Sequence, residues 1–390
     1  MARTYYTGID VGTHQVKVVI AAPADRPDLP MPIIGSGSAL SRGMRHGYII
    51  DKSEVAKSIR EALLRAGTAA KVSVRSARVA VGGVGLDELR STAEVSLTAS
   101  GGIVTERDVE RVLRESENRA STKLSNRTVL HTIPLEFRVD GSRIFGKPVG
   151  VLGTKLSADT LLITELTAHY DELIDAVEAA GVEVVGLMAS PLAASLVTLN
   201  KSQKTAGVCL ANVGSETLSI IVFEEDRPIS VKVFSLGSSD ITNALALSFQ
   251  VPLTEAEQMK RGAVTGTDVS QRKMQSLIAG KLKEMFVLIN THLKQMGRAG
   301  LLPAGIVLTG GGSGLFAAAE VAKTVLKLPS SVGTAGLAAR SASVDVTWAV
   351  AYGLCRWGYA DDTSLRGSSL VDIFRRAADT IKDNIRSLLP

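Results

Sequence analysis

The chain carries two kinds of hydrophobic pattern, one with the period of a strand and one with the period of a helix. Runs rich in valine and isoleucine surround a short glycine turn at 8–20 and again at 211–222, and each predicts strand, turn, strand. Residues 51–65 place apolar side chains at every fourth position, as an amphipathic helix does. The same patterns predict helices at 106–119, 170–180 and within 238–300, and strands at 79–81 and 305–309. This mixture indicates an α/β protein.

The two glycine turns repeat one another. Aligned without a gap, the matching positions are Asp10 with Asn212, Gly12 with Gly214, and Thr13 with Ser215. Glycine lets backbone N–H groups converge on an anion, and the small hydroxyl residue that follows adds one more donor. Two such hairpins facing one another would hold a polyphosphate between two related domains.

Residues 85–162 interrupt the α/β pattern. After one predicted helix come strand-like runs at 128–131 and 135–139, then a turn at Asp140 and Gly141. This stretch predicts a small α+β insertion. A polar stretch at 200–205 predicts a hinge before the second hairpin.

The last ordered block is expected to end near Ala360, followed by a polar linker at 361–369 and a final amphipathic helix. A terminal helix docked on its own domain is one interpretation of this pattern. A basic amphipathic helix can instead lie in the interface of an anionic membrane. The residues expected to make that contact are Leu370, Ile373, Phe374, Arg375, Arg376, Ile381, Lys382, Ile385, Arg386, Leu388 and Leu389.

Composition narrows the class of protein. With 390 residues the chain is expected to form at least two domains, and its 45% hydrophobic content supplies sizeable cores. The net charge of +5 comes without basic clusters interleaved with aromatic residues, so no nucleic-acid partner is expected. Cys209 and Cys355 lie in apolar contexts, and no secretory leader is recognised. The sequence also contains no run of eighteen apolar residues. These features predict buried thiols in a cytoplasmic protein that does not span a membrane.

The sequence offers no convincing alternative nucleotide-binding or catalytic motif. No Gly-x-x-x-x-Gly-Lys-Ser/Thr loop is present, and the Gly-x-Gly-x-x-Ala match at 312–317 has no dinucleotide domain around it. The five histidines lack the spacing of a metal site. A sugar kinase would need a general base in the cleft, and none can be nominated from the sequence.

Several segments carry a resemblance to a known family. The two hairpins and residues 308–313 resemble the phosphate-1, phosphate-2 and adenosine motifs of the actin-like ATP-binding superfamily. Residues 130–141, which contain His-x-x-Pro-x-x-Phe-x-Val-Asp-Gly, and residues 253–260, which contain Ala-Glu-x-x-Lys, are similar to segments of the FtsA family of bacterial cell-division proteins. The resemblance runs over essentially the whole chain. It implies an actin-like α/β fold of two ribonuclease-H-like domains with a small α+β inserted subdomain.

The resemblance also implies domain boundaries. The chain would divide into subdomain 1A (1–84, 163–200 and 339–360), inserted subdomain 1C (85–162), subdomain 2A (201–235 and 304–338), subdomain 2B (236–303), the linker (361–369) and a membrane-targeting helix (370–390).

By the same resemblance, ATP and Mg²⁺ are the expected cofactors. Asp10 would hold a Mg²⁺-bound water near the phosphates. The residues expected to contact the nucleotide are Asp10, Gly12, Thr13, His14, Gln15, Lys17, Gly214, Ser215, Gly237, Ser238, Glu257, Lys260, Gly311, Gly312 and Ser313.

One departure from the superfamily pattern concerns hydrolysis. Active members carry an Asp where this chain has Asn212, and Ser219 replaces a second expected Asp. An amide accepts a hydrogen bond but cannot act as a base, and Glu216 brings negative charge near the expected phosphates unless it turns outward. We therefore expect ATP binding with slow turnover at most, and no confident catalytic residue.

The function implied is that of an ATP-binding actin homologue at the cytoplasmic face of the cell membrane. It would polymerise with itself at the division site as a peripheral membrane protein. Residues 236–303 would bind the C-terminal peptide of FtsZ and so tether FtsZ to the membrane. The insertion at 85–162 would face other division proteins or the next protomer, and the C-terminal helix would bind anionic lipid. The alternatives are a pilus-assembly actin homologue, or a phosphotransferase or chaperone-type ATPase of the same superfamily.

Overall fold

The computed structural model describes residues 4–26, 29–97, 101–262, 270–334 and 345–362. Within these ranges the strands are β1 (Tyr6–Val11), β2 (Gln15–Ala21), β3 (Ile33–Leu40), β4 (Met44–Arg45), β5 (Tyr48–Ile49), β6 (Ser76–Val81), β7 (Asp87–Ser96), β8 (Arg127–Val139), β9 (Ser142–Ile144), β10 (Lys155–Leu166), β11 (Glu183–Ala189), β12 (Val208–Val213), β13 (Leu218–Glu224), β14 (Arg227–Phe234), β15 (Ile306–Thr309) and β16 (Ser330–Val332). The α-helices are α1 (Lys52–Ala70), α2 (Glu106–Ala120), α3 (Thr167–Ala179), α4 (Ser190–Thr198), α5 (Lys201–Ala206), α6 (Ser238–Phe249), α7 (Leu253–Lys260), α8 (Gln271–Gln295), α9 (Ala318–Leu326) and α10 (Ala349–Asp362).

Two five-stranded sheets have the same topology, as the repeated hairpins predict. The first sheet has the order β11-β6-β1-β2-β3, and the second has the order β14-β13-β12-β15-β16. In each, three strands form an antiparallel meander and two more run parallel to its first strand. We call the units built on these sheets the first and second domains.

The helix predicted at 51–65 is confirmed as α1. Asp51 caps it by accepting hydrogen bonds from the backbone N–H groups of Ser53 and Glu54. The periodic residues Val55 and Ile59 are fully buried against the first sheet. Its end comes five residues later than predicted, at Ala70.

The inserted subdomain consists of α2 and a four-stranded antiparallel sheet of order β7-β10-β8-β9. The two strand-like runs predicted at 128–131 and 135–139 are one continuous strand, β8, so their separation was wrong. Pro134 does not end the strand because it lies beside a bulge, where Glu136 pairs with Asp159 but Pro134 pairs with Thr160. The turn predicted at Asp140 and Gly141 joins β8 to β9.

Two other predictions about connections need correction. The predicted hinge at 200–205 is wrong, because this stretch belongs largely to α5, which Asn200 caps with a reciprocal pair of hydrogen bonds to Gln203. The first two residues of the predicted linker at 361–369 end α10 instead, and Asp361 pairs with Arg78 at 3.1 Å. The remainder of that linker and the predicted helix at 370–390 lie outside the described residues.

Helix α10 contacts both the first sheet and α4. The approach is close because glycines face backbone at both contacts: a Cβ on Gly8 would lie 2.0 Å from the Ala351 oxygen, and one on Gly353 would lie 1.9 Å from the Ala193 oxygen. Cys209 and Cys355 are both buried free thiols, as predicted. No described helix combines the length and the apolar character that crossing a bilayer requires.

Gly353→Ala should destabilise the chain by about 1–3 kcal/mol, because the added methyl group has to displace α4 from α10. Gly280→Ala is the matched control, since Gly280 lies on an exposed part of α8 with nothing near its missing Cβ. The control should stabilise the chain by up to about 1 kcal/mol. Urea denaturation measures both changes, and equal stability of the two variants would contradict the tight α4–α10 contact.

Candidate functional site

Both glycine hairpins close in the same way. The Gly12 N–H donates to the Gln15 oxygen at 3.2 Å, and the Gly214 N–H donates to the Thr217 oxygen at 2.9 Å. Among the described residues, the backbone N–H groups of Thr13, His14, Ser215 and Glu216 at the two tips donate to no other residue. Each hairpin therefore offers two unengaged donors of the kind that anion-binding turns use.

The second hairpin is braced by the start of α6. The Ser238 N–H donates to the Gly214 oxygen at 2.9 Å, and the Ser239 N–H donates to the Ser215 oxygen at 2.8 Å. The approach requires glycine at position 237, where a Cβ would lie 2.2 Å from the Ser215 oxygen. The first hairpin has one brace, from the Ser41 N–H to the His14 oxygen at 3.0 Å.

A cleft of about 750 Å³ separates the two domains and is lined by both hairpins. It lies at the carboxyl ends of the parallel strands of each sheet, the usual place for ligands in open α/β sheets. Among the residues predicted from sequence, those that line it are Asp10, Gly12, Thr13, His14, Gln15, Lys17, Gly214, Ser215, Ser238, Glu257, Lys260 and Gly311. The sequence prediction thus converges on one cleft.

Three predicted residues do not line the cleft. Gly237 lies behind the second hairpin, against Ser215. Gly312 and Ser313 are buried, and the Ser313 hydroxyl donates to the Gly310 oxygen at 2.7 Å. Ser313 therefore holds the backbone of Gly310, and the contact of Gly312 and Ser313 with adenosine stays a prediction.

The two halves of the cleft differ in one cross-strand pair. Asp10 pairs with Lys17 in the first sheet, and Asn212 pairs with Ser219 at the equivalent place in the second. All four residues line the cleft. At this cross-strand pair the first domain therefore contributes a carboxylate and an ammonium group, whereas the second domain contributes an amide and a hydroxyl.

Burial controls the charges of the Asp10–Lys17 pair. Burial raises the pKa of Asp10 to about 6, with the Lys17 charge acting in the opposite direction. Burial lowers the pKa of Lys17, and the charges of Asp10 and Asp345 oppose that change. The Lys17 ammonium donates to the Thr347 oxygen at 2.7 Å and lies 5.6 Å from the centre of the Trp348 ring.

Glu257 and Lys260 pair with each other on α7. Their charged atoms are 2.6 Å apart, and the Lys260 ammonium also donates to the Ser238 oxygen at 3.1 Å. Burial alone would raise the pKa of Glu257, but hydrogen bonds from Lys260, Thr242 and Arg261 lower it to about 2. The pair joins α7 to the start of α6, and both of its residues line the cleft.

The tips of the two hairpins both reach the opposite domain. Burial lowers the pKa of His14; the charge of Arg261, which directly follows α7, adds to that effect, and the charge of Glu257 opposes it. At the equivalent position of the second hairpin, the Glu216 carboxylate accepts the His46 N–H at 2.6 Å and lies 3.9 Å from the Arg45 guanidinium. Glu216 thus turns toward the first domain and is partly neutralised there.

Several cleft residues were not singled out as site residues in the sequence. Gly82 and Gly83 follow β6 just as Gly310 and Gly311 follow β15, so a Gly-Gly pair after the central parallel strand is part of the repeat. The further lining residues that sequence reasoning missed include Arg45, Ser190, Asn243, Arg261, Thr309, Asp345 and Thr347. Only the Gly-Gly pairs and Thr309, which belongs to the 308–313 motif, had a signal in the sequence, because the other residues reach the cleft through tertiary contacts.

The groups that line the cleft favour ligand binding over catalysis. Residues with unengaged N–H groups line the cleft from both domains, and the carboxylate of Asp10, which also lines it, has the oxygen ligands that Mg²⁺ prefers. Within the described ranges, no group of three or more His, Cys, Asp or Glu side chains could hold a metal ion by itself. A magnesium ion would therefore depend on the phosphates of a bound nucleotide for most of its ligands.

Two repeated sheets of this topology that face one another across a cleft of paired glycine hairpins define an actin-like protein. Comparison with known families agrees and is more specific. Residues 85–164 match the SHS2 domain inserted in FtsA, and residues 209–353 match the cell division protein FtsA; together the two matches span more than half of the chain. The chain belongs to the FtsA family.

Curated relatives support this assignment. The cell division protein FtsA of Bacillus subtilis is 28% identical over 343 residues, which cover 83% of this chain and 77% of the relative. The protein of the same name from Escherichia coli K12 is 27% identical over 402 residues, which cover 95% of this chain and 93% of the relative.

Solved structures share the fold. The PilM–PilN type IV pilus biogenesis complex contains a chain that superposes with a TM-score of 0.68 at 20% identity, covering 92% of this chain and 99% of that one. MreB5 of Spiroplasma citri, solved bound to ADP, superposes with a TM-score of 0.54 at 10% identity. The superposition covers 94% of this chain and 99% of MreB5. These likenesses concern the actin-like fold alone.

Asp10→Asn should stabilise the protein without nucleotide at pH 7.5. A folded-state pKa near 6 lies above the usual value of 3.8, so ionising Asp10 costs stability as pH rises between about 4 and 6. The variant should gain about 3 kcal/mol at pH 7.5 and much less at pH 4.5, as measured by urea denaturation. Asp175→Asn, at an exposed position of α3, is the control and should change stability by less than about 0.5 kcal/mol. A gain for Asp10→Asn that does not depend on pH would contradict the raised pKa.

Proposed function

We propose that this chain binds ATP with Mg²⁺ between its two domains and uses the bound nucleotide to fix the shape of a polymer subunit. The observation that carries the proposal is the pair of facing hairpins, each with two backbone N–H groups that no other described residue engages. A polyphosphate is the ligand whose charge and length suit donors on both sides of one cleft.

Different residues of the cleft would contact different parts of the nucleotide. The hairpin amides would bind the β- and γ-phosphates, with the side chains of Thr13 and Ser215 beside them. The Gly310 and Gly311 backbone and the Glu257–Lys260 pair on α7 would contact the adenosine end. Asp10 would hold a magnesium-bound water, and the ion would neutralise phosphate charge. The Lys17 ammonium is already engaged with the Thr347 oxygen, so it would act mainly through its charge.

Slow turnover is part of the proposal. Hydrolysis needs a group that positions or deprotonates the attacking water, and Asn212 and Ser219 are neutral at the place where the second domain would supply it. Glu216 is the nearest carboxylate on the second hairpin, but it accepts the His46 N–H in the first domain. The site has the character of a clamp for ATP.

The proposed cellular role follows family membership. The chain would form filaments at the cytoplasmic face of the membrane at the division site, and several weak C-terminal helices on one filament would bind lipid strongly together. Subdomain 2B (236–303) would bind the FtsZ C-terminal peptide. The inserted subdomain would contact other division proteins or the next protomer.

Two rival functions make different predictions. The likeness of the fold to a chain of the PilM–PilN complex is the reason to consider a role in pilus assembly. Both family matches are to FtsA, however, and a role in pilus assembly would not need a membrane-binding tail. A phosphotransferase or chaperone-type ATPase should hydrolyse ATP briskly and respond to a substrate. The neutral Asn212–Ser219 pair argues against that class.

Co-sedimentation with anionic lipid vesicles in the presence of Mg-ATP tests the tethering function. The full chain should sediment with the vesicles and carry FtsZ with it, whereas a chain ending at Asp362 should leave both proteins in the supernatant. Vesicles of neutral lipid are the control for the electrostatic contribution of the tail. Equal sedimentation of the full and shortened chains would contradict the membrane anchor.

A further inference from the structure

The inserted subdomain touches the second domain through several side chains, and Glu88 is the half-buried carboxylate among them. Glu88 lies on β7, an edge strand of the inserted sheet, and faces β14, an edge strand of the second sheet. Its carboxylate accepts the Ser230 hydroxyl at 2.9 Å and the Val231 N–H at 2.5 Å. A side chain of the insertion therefore supplies an acceptor to the edge of a sheet in another domain.

Neighbouring groups strengthen this contact. The Ser230 hydroxyl also lies 2.8 Å from the His292 ring on α8, so the contact continues into the second domain. Lys232 pairs with Asp87 at 3.1 Å, and the Arg90 guanidinium donates to the Ile229 oxygen at 3.1 Å. We call the Glu88–Ser230–Val231 contact the strut.

The insertion is fixed to the first domain at its other side. The buried His131 ring on β8 accepts the Ala189 N–H of β11 at 3.1 Å. The Arg127 guanidinium donates to the Gly85 oxygen where the chain leaves the first domain. The strut is therefore a contact between two bodies, the first domain with its insertion and the second domain.

A second contact between the same two bodies lies in the cleft. Glu216 accepts the His46 N–H at 2.6 Å, and the His46 ring lies 3.3 Å from the Glu216 backbone oxygen. The turn that carries His46 rests on the first domain, because a Cβ on Gly47 would lie 2.2 Å from the Gly83 Cα. We call this contact the latch.

We propose that the strut and the latch form and break together, so that the position of the inserted subdomain follows the arrangement of the cleft. Packed cores deform little, so a rotation between the two bodies changes both contacts at once. Such coupling is reciprocal: the factor by which losing one contact weakens the other is the same in both directions. The inference does not depend on which ligand occupies the cleft.

Hydrogen exchange of two backbone amides tests the coupling. Glu88→Ala removes the strut and should speed exchange at the remote His46 amide about 3–10-fold. Glu216→Ala removes the latch and should speed exchange at the remote Val231 amide by the same factor. Leu210, on buried β12, is the internal reference and should keep its wild-type exchange rate in both variants.

Glu94→Ala is the matched control, because Glu94 is an exposed β7 carboxylate that pairs with Lys155 inside the insertion. It should leave the His46 and Val231 amides unchanged. Glu88→Gln, which keeps one acceptor oxygen, should have a smaller effect than Glu88→Ala and covers the case in which the alanine variant folds poorly. Faster exchange only at the directly affected amide, with the remote amide unchanged, would overturn the proposal.

Discussion

The register of one antiparallel pair in each domain determines the chemistry of the cleft. Because side chains alternate faces along a strand, a shift of one residue would turn Asp10 and Lys17 away from the cleft together. The glycine hairpins prevent that shift, since each closes with one hydrogen bond across its turn, from Gly12 to Gln15 and from Gly214 to Thr217. The same closure leaves the N–H groups at each tip unengaged, so register and anion binding come from one local geometry.

The difference between the two repeats is as informative as their similarity. The first sheet places a carboxylate and an ammonium group opposite one another, and the second sheet places an amide and a hydroxyl there. Ionised Asp10 is costly while it is buried, and a magnesium ion would relieve that cost. Under the proposed function, the cleft would therefore gain stability when Mg-ATP fills it.

Much of the fold could be predicted from sequence because its signals are local. The hairpins, α1 and the Asp140–Gly141 turn follow from period and turn chemistry. The errors arose where tertiary contacts override local patterns. Residues 200–205 look like a solvated hinge, yet Lys204 is buried and its ammonium lies 5.1 Å from the centre of the Phe223 ring.

The candidate site was predictable in part for the same reason. Residues that belong to the repeated motifs come together in the cleft, as their sequence positions suggested. Contacts that join distant segments gave no signal, and the Glu216–His46 bridge across 170 positions is the clearest case. Such a contact depends on how the domains face each other, which no local pattern records.

The central claim is that one nucleotide is held by both hairpins at once. Hydrogen exchange of the backbone amides at Thr13, His14, Ser215 and Glu216, with and without Mg-ATP, tests it directly. All four amides should become protected over the same range of ATP concentration, because a single polyphosphate engages donors of both domains. Protection confined to one hairpin, or protection of the two hairpins at separate concentrations, would contradict the clamp.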